Sequence, residues 1–220
     1  MTADFGYRGI GDLPDRLPVF PLDGAIVLPR AQLPLNIFEP RYLNMVDDAL
    51  ASPDRMIGMV QPVGSESAVP ALAGIGCAGR IVSFAETGDG RYLITLRGIA
   101  RFELSGEVSC DTPYRQAEIS WDDFEGDLHP EQLDGNFDRE SFEGVLKSFF
   151  SARDLAADWD SIKNAPIEPM VNQLSMVLPF ETAEKQALLE ARSLSNRLSV
   201  LVALMQMAAA ESDDGPGGVQ

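Results

Sequence analysis

The stretch LPVFPLDGAIVLPRAQLPLNIFEPRYLNMVDDAL, residues 17–50, decides the fold of this chain. Its first half consists of short apolar runs separated by proline and glycine, and residues 33–38 form another such run. This pattern favours short strands bent around a compact sheet. Pro40 then suits the first turn of a helix, and Glu39 complements the positive end of the helix dipole. The helix is predicted to be amphipathic, with a core-facing side made of Tyr42, Leu43, Met45, Val46, Ala49 and Leu50.

Further strands are predicted after that helix, which ends at Ser52-Pro53. Residues 55–61 have the pattern of a short strand, and residues 62–73 that of a loosely patterned loop. Two further runs flank Gly88-Asp89-Gly90, a turn sequence of the kind that closes a β-hairpin; they are residues 79–85 and 91–96. With strands also predicted at 99–104 and 114–121, the first half has six or more mainly antiparallel strands. Such a set favours a curled sheet or a partly closed barrel.

The composition changes beyond these strands. Between Glu118 and Glu143 there are ten acidic residues and one arginine, so we interpret residues 122–138 as an acidic linker. Residues 139–209 then have the apolar spacing of a small helical bundle. Its last and longest helix is predicted to start near Thr182 and to carry one continuous apolar seam, formed by Ala187, Ala191, Leu194, Leu198, Leu201, Met205 and Ala208. Residues 1–16 are Gly-rich and polar, and the last ten residues, ESDDGPGGVQ, lack anything to pack, so segments 1–16 and 210–220 are predicted to be disordered.

The charge of the chain restricts its partners. The formal net charge is −17 and the isoelectric point is near 4.3, so the electrostatic field repels nucleic-acid backbones and anionic membrane surfaces. The N-terminal residues have no apolar core of the kind a signal peptide needs, and the longest apolar run is too short to span a bilayer. Only Cys77 and Cys110 are present, and we expect both to be reduced and buried. These features predict a cytoplasmic protein.

Two short motifs resemble ligand-binding sequences but lack their context. Residues 74–79, GIGCAG, fit a dinucleotide fingerprint, yet a β-branched run follows them where that fingerprint needs a helix. We therefore expect a flexible start of a strand. Asp134-x-Asn136-x-Asp138 begins like a calcium loop, but Arg139 takes the place of the required glycine and Val145 that of the bidentate glutamate. Asp138 or Asn136 is expected instead to cap the helix that follows.

The chain also lacks the residues of common catalytic sites. His129 is the only histidine and lies beside a proline in the acidic segment, which argues against a Ser-His-Asp triad and a histidine-rich zinc site. The three lysines all lie in the helical half, away from any glycine-framed serine, so no Ser-Lys dyad is predicted. The sequence therefore predicts no catalytic residue, no cofactor, no metal and no enzymatic activity.

Several motifs in order along the chain resemble a known family. The first are LPVFPL at residues 17–22, PRAQLPL at 29–35 and IFEPRY at 37–42. They are followed by IGCAGRI at 75–81, DGR at 89–91, GIARF at 98–102, PY at 113–114 and KQALLE at 185–190. From residue 17 to about residue 205 the chain resembles the N-terminal, substrate-binding domain of ATP-dependent Lon proteases.

The resemblance implies an α+β fold, with a PUA-like, mainly antiparallel β-barrel and one helix over residues 17–121, followed by a C-terminal helical bundle. In Lon proteases this domain captures unfolded or tagged protein substrates, whereas separate domains hydrolyse ATP and cut peptides. This chain has neither a Walker A loop nor a serine–lysine dyad. The resemblance therefore implies a stand-alone, non-catalytic recognition domain.

We expect the chain to bind unfolded or exposed polypeptide segments. One alternative is an adaptor or regulator that acts in trans on an ATP-dependent protease, and another is a barrel that binds a small ligand. Candidate contacts are Arg41, Tyr42 and Met45 at the start of the first helix, and the apolar residues Val69, Pro70 and Leu72 in the following loop. For each of these residues, simple packing or loop flexibility is the competing interpretation. The sequence does not predict the oligomeric state.

Overall fold

The computed structural model describes residues 5–64, 69–133 and 137–213. By its internal contacts the chain divides into two compact units. The first unit ends at Pro130, and the second begins at Glu131. The first unit contains every described β-strand and one α-helix, and the second unit is helical. The predicted α+β class is confirmed.

The first unit is built on a mixed sheet of six strands in the order β2-β7-β6-β3-β1-β8. The strands of this unit are β1 (Arg16–Pro21), β2 (Gln32–Ile37), β3 (Met56–Val60), β4 (Pro62–Val63), β5 (Ala71–Leu72), β6 (Ile75–Glu86), β7 (Tyr92–Val108) and β8 (Gln116–Ser120). Strand β8 pairs with both β1 and β7, which closes the sheet into a barrel. Strands β1 and β3 run parallel, and α1 (Pro40–Ala51) lies in the connection between them. The other pairings in this sheet are antiparallel.

Phe102 lies at the centre of the barrel and is fully buried. Its ring meets Trp121 edge to face, with 5.9 Å between the ring centroids. A Cβ atom on Gly76 would lie 2.5 Å from Phe102 Cζ, which is inside van der Waals contact. The glycine-rich motif at residues 74–79 therefore belongs to the packing of β6 against Phe102, and the expectation of a flexible segment was wrong because Ile75 onward is paired strand.

Strand β7 is one element of 17 residues where the sequence suggested two strands. Gly98 lies at the expected break, but it stays within the strand pairing opposite Gly79. An added Cβ on Gly98 would lie 2.0 Å from the Leu28 carbonyl oxygen, so glycine is required there by close packing. The loop predicted at 62–73 contains the short paired strands β4 and β5, and residues 65–68 lie outside the described part of the chain.

Part of the predicted acidic linker has a structure of its own. Residues Asp122–Leu128 form 3-10 turns in the first unit, with Phe124 and Asp127 buried. Arg101 on β7 compensates the charge of the buried Asp127, which allows this acidic segment to pack here. Its Nη2 and Nε atoms donate to the two carboxylate oxygens of Asp127 at 2.7 and 2.8 Å. The described residues of the N-terminal segment also differ from the expected disorder, because Leu13 is buried and Phe5 and Tyr7 pack against the core.

The second unit contains α2 (Arg139–Ala152), α3 (Trp159–Asn164), α4 (Ile167–Val177), α5 (Thr182–Glu190) and α6 (Leu194–Asp213). The sequence did not predict α3, and the single long helix predicted from Thr182 is in fact α5 and α6. The chain leaves the helical conformation at Ala191, and Arg197 Nε donates to the carbonyl of Leu188 at 3.0 Å. Helix α6 runs into the tail predicted to be disordered, of which residues 214–220 lie outside the described range.

The two cysteines have different environments. Cys77 is buried in β6, as expected, whereas Cys110 is exposed in the connection between β7 and β8. The prediction for Cys110 was wrong because this residue lies where the chain leaves the sheet. Within the described part of the chain, no helix is long and apolar enough to cross a membrane.

Candidate protein-binding surface

A shallow groove lies where β1, β2 and α1 meet in the first unit. It has a volume of about 170 Å³ and is bordered by the ends of these three elements. Inward-facing residues of β2 alternate with outward-facing ones, and Phe38 follows directly after the last residue of this strand. The ring of Phe38 borders the groove and is 63% exposed. An exposed aromatic ring beside an apolar groove is a feature of protein-interaction surfaces.

The first turn of α1 forms one wall of this groove. Arg41 is exposed, and its Nη2 atom pairs with Glu39 Oε2 at 2.8 Å. The Arg41 guanidinium also lies over the ring of Tyr42, with 4.4 Å from Cζ to the ring centroid. The Tyr42 ring packs in turn on Phe20, with 4.3 Å between centroids. This turn therefore presents a charged group stacked on a buried aromatic pair.

Met45 has a different role from Arg41 and Tyr42. Its side chain is fully buried and does not line the groove. The Met45 side chain packs in the core under α1, so a partner could not contact this side chain in the present conformation. Tyr42 is 7% exposed, so only its edge is available to a partner.

The second predicted segment, residues 69–72, begins with an exposed side chain. Val69 is 68% exposed. Pro70 is half-buried, and its carbonyl oxygen accepts a hydrogen bond from Arg115 Nη1 at 2.8 Å. Leu72 lies in β5 and is half-buried against the barrel core. Val69 is thus the residue of this segment that is most available for contact.

Arg115 contacts the second predicted segment, although the sequence did not single it out. Burial raises the pKa of the Tyr42 hydroxyl, and the positive charges of Arg41 and Arg115 oppose this shift. The Arg115 side chain contacts Pro70, because its Nη1 atom donates to the Pro70 carbonyl oxygen at 2.8 Å. Its Nε atom also donates to Glu107 Oε2 at 2.6 Å. We use the name recognition surface for four residues together: Phe38, Arg41 and Val69, which are exposed, and Arg115, which is half-buried.

Sequence reasoning missed Phe38 because it was counted as the end of a strand. The apolar alternation of Leu33, Leu35 and Ile37 already placed Phe38 on the opposite side, and this signal could have identified it. A second exposed apolar area lies on the β6–β7 hairpin, where Phe84 and Leu93 are 42% and 46% exposed.

The remaining sequence features concern metal ligands and the calcium-like motif near Asp138. Among the described residues, no three histidine, cysteine, aspartate or glutamate side chains come together as a metal site. Asp138 caps α2, because its Oδ1 atom accepts from the amide of Ser141 at 3.0 Å. Asp134 and Asn136 of the calcium-like motif lie outside the described residues.

The fold and the exposed apolar area define the class of protein: an α+β binding domain with a small barrel, one helix on the barrel and a helical unit after it. The chain matches the family described as "ATP-dependent protease La (LON) substrate-binding domain" over residues 16–207. It therefore belongs to the family of Lon substrate-binding domains.

Individual relatives agree with this assignment. Lon protease 2 from Sorangium cellulosum (strain So ce56) is 24% identical over 198 residues, which cover 87% of this chain and 24% of the relative. Lon protease from Syntrophus aciditrophicus (strain SB) is 30% identical over 178 residues, which cover 71% of this chain and 22% of the relative. The chain thus spans about a quarter of the length of these curated relatives.

A solved structure of similar size shows the same fold. The Lon N-terminal domain protein from Xanthomonas campestris aligns with a TM-score of 0.57 and 24% identity. The alignment covers 86% of this chain and 97% of that structure. The barrel-plus-helices architecture is therefore that of a Lon N-terminal domain.

Proposed function

We propose that this chain binds unfolded or exposed polypeptide segments through the recognition surface, without catalysing a reaction itself. The observation that carries the proposal is the exposed Phe38 ring beside the groove at the start of α1. The groove is smaller than the roughly 300–1,000 Å³ of typical small-molecule pockets. Its size instead suits a single apolar side chain of a polypeptide.

The electrostatics of the surface supports the same function. Arg41 lines the apolar groove and places a guanidinium group there, where Glu39 pairs with it. A polypeptide offers both apolar side chains and backbone carbonyl groups that can accept hydrogen bonds from guanidinium groups. The surface can therefore hold an extended segment by an apolar anchor and by polar contacts beside it.

The test is a fluorescence-anisotropy titration of the full chain against a permanently unfolded, labelled model protein, without ATP. Phe38→Ser and Val69→Ser together are expected to weaken binding about tenfold, from the loss of apolar burial. The matched control is Val177→Ser with Met207→Ser, since these side chains are 57% and 60% exposed in the second unit. Equal affinity of both double variants and the unmodified chain would show that the recognition surface does not bind the client.

The family assignment also supports a second function, that of an adaptor or regulator acting in trans on an ATP-dependent protease. A pull-down from cell lysate with the intact chain separates the two. Recovery of many unfolded clients without ATP dependence supports direct capture, whereas specific recovery of one ATP-dependent protease supports the adaptor. In either case, we expect the Phe38→Ser and Val69→Ser double variant to recover less client or protease than the unmodified chain recovers.

A further inference from the structure

A second and larger cavity lies in the first unit and shares no lining residue with the groove at α1. Its volume is about 440 Å³, within the roughly 300–1,000 Å³ of typical small-molecule sites. It is lined by the N-terminal segment, by the middle of β7 and by the end of the 3-10 turns. The protein-binding proposal does not use this cavity.

The cavity collects basic side chains in a protein that is strongly acidic overall. Arg30, Arg97 and His129, the only histidine of the chain, are all part of its lining. The acidic residue of the lining is Asp127, and Arg101 binds both of its carboxylate oxygens in a bidentate ion pair. The charge of Asp127 is therefore compensated, and the two arginines leave a positive field at the cavity.

Arg30 is held at the cavity by an unusual backbone. Its φ angle is +66°, a left-handed conformation that non-glycine residues adopt only when their surroundings impose it. The Arg30 amide donates to the Gly98 carbonyl at 2.8 Å, and the Gly98 amide donates to the Ala31 carbonyl at 2.9 Å. Arg30 Nη1 also donates to the carbonyl oxygen of Asp127. The turn is thus fixed to β7, and the guanidinium is positioned in advance.

The remaining walls of the cavity combine apolar side chains with Tyr7, whose hydroxyl accepts a hydrogen bond from Arg80 Nη1 at 2.8 Å. Phe5, Ile99 and Leu128 contribute to the lining, and Ile99 and Leu128 belong to the barrel core or pack on it. The guanidinium of Arg97 lies 5.8 Å from the centroid of the Phe5 ring. A ligand in the cavity therefore meets donors that bind anions and an aromatic ring within the same space.

We propose that this cavity binds a carboxylate that carries an apolar body. Arginine binds carboxylates through two parallel N–H donors, and this geometry favours a planar carboxylate. The apolar walls receive the body of the ligand. Two sources offer this chemistry: the C-terminal residue of a polypeptide, and a free aryl or alkyl carboxylate.

The experiment uses isothermal titration calorimetry on the full chain with four small probes. N-acetyl-phenylalanine represents a peptide C-terminus, and 3-phenylpropionate represents a free aryl carboxylate. Their uncharged amides keep the apolar body but remove the charge. We expect at least one acid to bind and its amide to bind about tenfold more weakly or not at all, as for the loss of a charge-assisted hydrogen bond. Tighter binding of the acetylated acid indicates a peptide source, and equal or tighter binding of 3-phenylpropionate indicates a free carboxylate.

Single substitutions test whether the acids bind in this cavity. Arg97→Gln is expected to reduce the affinity for the acid about tenfold or more. His129→Gln, at an exposed position, is a second lining variant that does not endanger the fold and is expected to weaken binding severalfold. Arg153→Gln makes the same charge change as Arg97→Gln at an exposed position in the second unit, and it should leave the affinity unchanged.

The proposal is overturned if neither acid binds, if each amide binds as well as its acid, or if Arg97→Gln and Arg153→Gln lower the affinity equally. Inorganic phosphate serves as a fifth probe. Phosphate that binds as tightly as both acids would show that the positive field acts alone and would also contradict the proposal. The Phe38→Ser and Val69→Ser variant should bind the acids normally, so failure of the protein-binding surface would not affect this test.

Discussion

Asp127 is 2% exposed and Arg101 is 3% exposed, so the ion pair between them is among the most buried polar contacts of the first unit. The Arg101 amide adds a third hydrogen bond to the same carboxylate at 2.9 Å. All three donors come from one residue of β7. The pair therefore fastens the acidic 3-10 turns to the strand, and their position depends on it.

Removing one partner of this pair is expected to be costly. Asp127→Ala removes the carboxylate that accepts three hydrogen bonds from the buried Arg101, and we expect the free energy of unfolding to fall by about 3–5 kcal/mol. Urea denaturation measures this change. The exposed pair of Arg91 and Asp89, joined at 2.9 Å, is the control, and Asp89→Ala should cost at most about 1 kcal/mol. A similar, small loss for both variants would show that the buried pair does not fasten the turns.

Gly76 carries a second prediction for a single residue. Gly76→Ala places a methyl group against the Phe102 ring and the Met59 carbonyl oxygen, where Cβ would lie 2.5 and 2.6 Å from these atoms. Overpacking of this kind is expected to lower the free energy of unfolding by about 1–3 kcal/mol or more. Gly106→Ala is the control, because Gly106 on β7 has open space around it. Thermal unfolding of both variants tests the prediction, which fails if they melt together.

Helices of the second unit begin with short polar caps. Asp138 caps α2 and Asp158 caps α3, each by accepting from the amide three residues later. The Asp158 side chain also accepts from the Ser161 hydroxyl at 2.6 Å, and hydrogen bonds from Ser161 lower the pKa of Asp158. Such caps satisfy amides that have no partner within the helix.

The cap of α2 provides a prediction at the scale of the element. Asp138→Ala is expected to lower the free energy of unfolding by about 1 kcal/mol, whereas Asp138→Ser should retain most of the stability because serine is also a good cap. Urea denaturation followed by circular dichroism at 222 nm compares the two. If Asp138 acts only as a cap, added calcium will stabilise neither the unmodified chain nor the serine variant. Equal losses for alanine and serine would contradict the capping role.

The division between α5 and α6 is a further feature at this scale. Arg197 is 2% exposed, and its Nη1 atom donates to Asn172 Oδ1 at 3.1 Å in addition to the bond with the Leu188 carbonyl. One side chain thus joins α4, the end of α5 and the start of α6. A continuous helix would use the Leu188 carbonyl internally and would leave the buried guanidinium with one acceptor fewer.

For the whole molecule, the dominant quantity is the net charge of −17. A field of this size attracts basic polypeptides and repels acidic ones. We expect an unfolded client with net positive charge to bind more tightly than an acidic client of equal length and apolar content. The difference should shrink as the salt concentration rises from about 0.05 to 0.5 M, because the Debye length falls. Anisotropy titrations at several salt concentrations measure this, and a difference that does not respond to salt would contradict an electrostatic origin.

Local patterns were sufficient to predict much of the molecule. The amphipathic spacing after Pro40 predicted α1, and the turn residues at 88–90 predicted the β6–β7 hairpin. These features depend on dihedral preferences and side-chain periodicity within a few residues, which the sequence expresses directly. The α+β class and the resemblance to Lon substrate-binding domains followed from the same stretch of residues 17–50 and the motifs after it.

The sequence by itself thus determined the class, the family resemblance and the start of α1 as a candidate contact. Only the tertiary structure decided which side chains can reach a partner: Met45 is buried, Phe38 is exposed, and Arg115, which directly precedes β8, donates to the carbonyl oxygen of Pro70. It also placed the acidic residue Asp127 inside the fold and split the last helix at Ala191. The physical reason is that burial and charge compensation depend on residues far apart in the chain, such as Arg101 for Asp127 and Arg197 for Leu188, and no local pattern contains them.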